Sequence, residues 1–85
     1  MLTIKKYYKE ACAPCISMGR ILERAQKKIE FNVENIEVNQ HPDRAKSANV
    51  SSVPTLIVEV NGLEVKRWEG VKSSKEVKNI LDMYI

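Results

Sequence analysis

Cys12 and Cys15 are the only thiols in the chain, and two residues, Ala13 and Pro14, separate them. A pair with this spacing is either half of a metal site or a reversible dithiol. A dithiol exchanger needs one thiolate that attacks a disulfide and a second thiol close enough to resolve the mixed disulfide. At a helix N-terminus the first cysteine meets unpaired N–H groups and the positive end of the helix dipole. In such motifs the thiolate pKa falls to roughly 3.5–7.5. On this reading Cys12 is the nucleophile and Cys15, one turn inside, is the resolver. A zinc knuckle needs four ligands, and beyond the thiols the chain has a single histidine, His41. His41 precedes Pro42 where a helix starts, and a turn residue is the simpler account of it. A metal or cluster shared between two chains stays open, as does a pair of unreactive core cysteines.

The flanking sequence must position that pair. Leu2 to Tyr8 reads as a strand, diluted by lysines. After the cysteines, Met18, Leu22, Ala25 and Ile29 recur at helical spacing, and Ile21 widens the stripe. Pro14 falls where a helix start tolerates it, and Gly19 is a weak point costing about 1 kcal/mol against Ala unless close packing needs it. Phe31 to Val38 reads as a second strand whose alternation breaks at Glu34-Asn35, which predicts a bulge or a late start. His41-Pro42-Asp43 opens a short helix through Ala45 and Ala48, ending near Asn49. Pro54 to Val60 is a third strand, apolar enough to be covered on both faces. Asn61-Gly62 is a strong hairpin signal leading into a fourth strand, Leu63 to Trp68. Ser73 with Glu76 forms a capping box, and Val77, Ile80, Leu81 and Tyr84 give the last helix its apolar face. The order is β-α-β-α-β-β-α, an α/β fold with a four-stranded mixed sheet flanked by three helices.

Composition bounds the function. Residues 1–85 suit one domain, with 44% hydrophobic and 29% charged residues, which is globular rather than disordered. The net charge of +3 comes from lysines and arginines interleaved with glutamates, as on an ordinary solvated surface, so no nucleic-acid partner is expected. The apolar runs are too short to span a membrane, and Met1 to Lys6 has no signal-peptide core. A reducing cytoplasm is the expected compartment, where a close cysteine pair is catalytic or metal-binding rather than structural. The glycines fit no dinucleotide fingerprint, and no cofactor or bound metal is expected.

Ala11-Cys12-Ala13-Pro14-Cys15 resembles the active-site loop of the thioredoxin family. Ser52-Val53-Pro54-Thr55-Leu56 is similar to the family's cis-proline segment, Asn61-Gly62 to its hairpin, Gly70 to the glycine after its last strand, and Ser73 to Ile85 to its closing helix. The likeness starts near Leu2 and lacks only the extra N-terminal strand and helix of full-length members, as in glutaredoxins and small thioredoxins. It implies that Pro54 is cis and faces the cysteines. The Val53 backbone then offers its N–H and C=O to an extended substrate, with Thr55 continuing the segment. It also implies that Gly70 admits a partner backbone and that Ala11, Ala13, Pro14, Val53 and Val71 form a small apolar docking patch.

Two positions depart from the family. Ala11 stands where thioredoxins usually have Trp, and Lys6 stands where they have a buried acid, six residues before Cys12. The expectation for Lys6 is a packed stem with its ammonium in solvent. If it turned toward the thiols, its charge would lower the Cys12 pKa. Lys9 resembles a basic residue that glutaredoxins place near glutathione, though a solvated loop lysine is the better account of it. Trp68 reads as a half-buried packing residue. The resemblance implies a monomeric oxidoreductase that reduces protein disulfides and is recycled by a thioredoxin reductase. The alternative is a glutathione-recycled, glutaredoxin-type electron donor, for example to ribonucleotide reductase.

Overall fold

A computed structural model describes the whole sequence, Met1–Ile85. The elements are β1 (Leu2–Tyr8), α1 (Ala13–Gln26), β2 (Asn32–Glu37), α2 (Pro42–Ser47), β3 (Thr55–Val60), β4 (Leu63–Glu69) and α3 (Ser74–Asp82). The strands lie in the order β2-β1-β3-β4. β1 runs parallel to β2, and β3 is antiparallel to both β1 and β4. This is the expected arrangement, with the parallel pair joined through α1 and the antiparallel pair through a two-residue turn. Asn61 and Gly62 take φ of 51° and 87° in that turn, the left-handed values that a tight hairpin requires of both central residues.

The sheet carries a core on each face because side chains alternate along every strand. Leu2 and Ile4 of β1 and Leu56 and Val58 of β3 face α1 and α3, where they meet Met18, Leu22, Val77 and Leu81. Tyr7, Ile36 and Ile57 point the other way onto Ala45 of the short α2. β3 is covered on both faces, which explains its continuous apolar run. Each fully buried aliphatic side chain in these clusters stabilises the fold by about 1.5–3 kcal/mol.

The broken alternation of the second strand has the same cause. β2 pairs with β1 in unbroken register, Ile4 beside Val33 and Tyr7 beside Ile36, so it contains no bulge. It starts at Asn32, one residue later than expected. Val33 packs on the α1–α3 core and Ile36 on the α2 core, so one strand feeds two cores and no single-face pattern can hold. A bulge does occur, but at Val58/Glu59 in the β3–β4 pair, where the exposed Val65 is the extra residue. Trp68 is more buried than expected, at 7% exposure, and its indole N–H has no hydrogen-bond partner.

Candidate active site

Sheet register brings three loops together at one end of the molecule. β1 ends at Tyr8 and leads through the loop to Cys12. Tyr7 pairs with Thr55, so the start of β3, with Pro54 just before it, lies next to the end of β1. Thr55 pairs in turn with Glu69, so Gly70 follows at the same end. A hydrogen bond from the Gly70 N–H to the Pro54 carbonyl, 2.9 Å, ties the last two loops together.

Cys12 is the N-cap of α1, with extended backbone angles of φ −107° and ψ 104°. Its sulfur accepts the Cys15 N–H at 3.3 Å, as a serine oxygen would in an ordinary cap. The two cysteines form a disulfide with their Cα atoms 5.2 Å apart. Cys12 is 7% exposed and Cys15 2%, so the outer sulfur is the more accessible one. No acidic residue occupies the first turn of α1. A negative charge on the Cys12 sulfur would therefore meet a free helix N-terminus with nothing to neutralise it. Ala11, just before the pair, is held in the left-handed region at φ 56°. No group of three or more His, Cys, Asp or Glu side chains comes together in a metal-binding arrangement.

The Val53-Pro54 peptide bond is cis. Pro54 is buried, and Thr55 is also buried with its hydroxyl donating to the Ser52 carbonyl at 2.6 Å. Thr55 therefore fixes the loop from inside. Val53 is half-buried, and its own N–H and C=O have no partner within the chain. Ser52 donates its hydroxyl to Glu69 at 2.6 Å, a further tie between this loop and β4. Gly70 adopts φ 83°, and a Cβ there would meet nothing within 4 Å. Its backbone conformation is what calls for glycine, and the space beside it is open.

Ala11, Ala13 and Pro14 are exposed around the sulfur, and Val71 is 49% exposed. Sequence reasoning missed Ile16, which is 55% exposed one residue after the pair. The available signal was its place off the Cys15–Met18–Leu22–Ala25 stripe that faces the core. Lys9 is exposed and lines a cavity of about 270 Å³ with Asn39, Ser52 and Val53.

Lys6 does not behave as expected. It is half-buried, and its ammonium turns under α1 to donate to the Cys15 carbonyl at 3.4 Å. Burial pushes its pKa below the usual lysine range, and the nearby Glu23 partly opposes this.

Comparison with known proteins agrees with this geometry. The family model described as Thioredoxin matches residues 2–83. The thioredoxin of Chlamydia caviae is 27% identical over 84 residues, covering 98% of this chain and 82% of the relative. Thioredoxin 1 of Thermosipho africanus superposes with a TM-score of 0.85 at 27% identity, over 96% of this chain and 92% of that one. A mutant thioredoxin from Halobacterium salinarum has the same fold, with a TM-score of 0.91 at 23% identity, over 98% of this chain and 74% of that one. No helix is long and apolar enough to cross a membrane. The chain belongs to the thioredoxin family: it is a thiol–disulfide oxidoreductase whose two cysteines are joined at the head of a helix.

Proposed function

We propose that the protein reduces disulfides of partner proteins in a reducing compartment, acting as a single-domain monomer. The Cys12 thiolate attacks one sulfur of the partner disulfide, forming a Cys12–partner bond and releasing the other partner sulfur as a thiolate. The Cys15 thiol gives up its proton and attacks the Cys12 sulfur, releasing the second partner sulfur. The dithiol loses two electrons and two protons, and the partner disulfide gains both. The observation that carries this reading is the Cys12 sulfur at the cap of α1, accepting the Cys15 N–H in a first turn free of acids. The free N–H and C=O of Val53 support strand-like pairing with an extended partner segment. Ala11, Ala13, Pro14, Ile16 and Val71 would supply the apolar contacts, with Pro54, Thr55 and Gly70 shaping the loops behind them.

An external reductase returns the pair to its reduced state. The Lys9-lined cavity beside Val53 favours a second reading in which glutathione does so, because a cation there suits a small anionic thiol. Insulin reduction coupled to a thioredoxin reductase, and separately to glutathione with its reductase, distinguishes the two. Activity in neither assay, or full activity in Cys12→Ser, overturns the reading. Cys15→Ser is expected to accumulate the mixed disulfide, visible as an added mass that dithiothreitol removes.

A further inference from the structure

Neighbouring lysines of β1 have opposite fates. Lys5 faces away from α1 and pairs with Glu59 at 3.0 Å. Lys6 faces α1, and no carboxylate lies within ion-pair distance of it. Its ammonium instead donates to the Cys15 carbonyl at 3.4 Å and stands 5.3 Å from the centre of the Tyr8 ring. The seat exists because residue 19 has no side chain. A Cβ on Gly19 would lie 2.9 Å from the Lys6 nitrogen. Glycine inside a helix and a cation beneath it are both locally unfavourable. Here the two meet, next to the backbone of Cys15.

We infer that Lys6 is a positioning residue for the redox pair: its ammonium, admitted by Gly19 and bonded to the Cys15 carbonyl, holds positive charge beside the cysteines and favours their reduced, thiolate form. The inference rests on the exchange chemistry of Cys12 and Cys15. The disulfide is neutral and the reduced pair carries a thiolate, so a nearby cation stabilises only the reduced state. Half-burial weakens screening of that charge. Among the other groups facing Lys6 there is one carboxylate, and it stands beyond ion-pair distance. That carboxylate is Glu23 of α1, while β2 presents the neutral Asn35 and β3 the apolar Leu56. A small cavity of about 130 Å³ lies against Lys6, Gly19, Glu23 and Asn35. Burial lowers the Lys6 pKa, so the charge is withdrawn at a less alkaline pH than for an ordinary lysine.

The test is the equilibrium with glutathione, together with ultraviolet titration of the Cys12 thiolate. Lys6→Met is expected to make the pair about tenfold harder to reduce, equivalent to about 30 mV toward more negative potential for a two-electron couple. The same variant should raise the Cys12 titration midpoint by about one unit. Lys6→Gln keeps a donor for the Cys15 carbonyl but lacks the charge, and should shift both readouts equally. Gly19→Ala displaces the ammonium without removing it. It should give a smaller shift in the same direction, and none when added to Lys6→Met. Unchanged potential and midpoint in Lys6→Met and Lys6→Gln overturn the inference while leaving disulfide exchange intact. A shift in Lys6→Met that is absent from Lys6→Gln also overturns it, since the effect would then belong to the hydrogen bond. Failure of the unmodified protein to reduce any disulfide would instead remove the exchange reading beneath it.

Discussion

The N-termini of α1 and α3 are built to one plan and used for opposite ends. In α3 the cap is Ser73, whose hydroxyl accepts the Glu76 N–H at 3.2 Å, while the Glu76 carboxylate accepts the Ser73 N–H at 3.2 Å. In α1 the cap is Cys12, whose sulfur accepts the Cys15 N–H at 3.3 Å. Both pairs stand three residues apart, at the cap and the third helical position. In α3 the reciprocal bond is a hydrogen bond from backbone to carboxylate, and in α1 it is a disulfide. Glu76 sits with its negative charge on the helix N-terminus, and its carboxyl is held below the usual range, chiefly by the Ser73 backbone N–H. At α1 the same favourable field is left unoccupied until the disulfide opens. A filled helix terminus contributes stability, whereas an unfilled one holding a thiol contributes reactivity.

The sharpest way to break the comparison is Cys12→Ser, which makes the α1 cap chemically like that of α3. Insulin reduction should fall by about 10³-fold or more, because no nucleophile remains. Chemical denaturation should find the variant as stable as the reduced protein, since serine is a good cap. Removing the α3 cap has the reverse profile. Ser73→Ala should cost about 1 kcal/mol in urea unfolding and leave the redox potential unchanged. Adding an acid to α1 makes the two termini alike in charge. Ile16→Glu should raise the Cys12 titration midpoint by up to about 0.7 unit, because the helix-terminal field is now shared. The smallest effect is acid sensitivity. The folded pKa of Glu76 is lowered, so its stabilisation of α3 is present above the unfolded value of about 4.3 and is lost as pH falls through the folded value. Backbone chemical shifts should show the first turn of α3 loosening in that acidic window, while the first turn of α1, which has no acid, stays unchanged.

Much of this was readable along the chain. The capping box at Ser73, the hairpin at Asn61-Gly62 and the stripe Met18-Leu22-Ala25 each depend on residues a few positions apart. Such signals survive because the interactions that fix them are local. The broken alternation at Glu34-Asn35 allows a bulge or a late start, and the sequence cannot choose between them, because the two apolar pairs serve different cores, a fact that depends on what covers each face of the sheet. Ile16 lies off the Cys15–Met18–Leu22–Ala25 stripe, which marks it as facing away from the core, but only the fold shows how far it is exposed. The bulge at Val58/Glu59 and the burial of Trp68 are likewise set by partner strands and helices.

The sequence alone determined the order of elements, the cysteine spacing that puts one sulfur at a helix cap and the other a turn inside, and the likeness to the thioredoxin family around Pro54. Only the tertiary structure decided where Lys6 points, what Gly19 is for, and that the Val53 amide and carbonyl are left without partners. Lys6 and Gly19 are thirteen positions apart and meet only because α1 crosses β1. A contact between elements depends on the angle and height at which they pack, and no pattern of near neighbours in the chain encodes that.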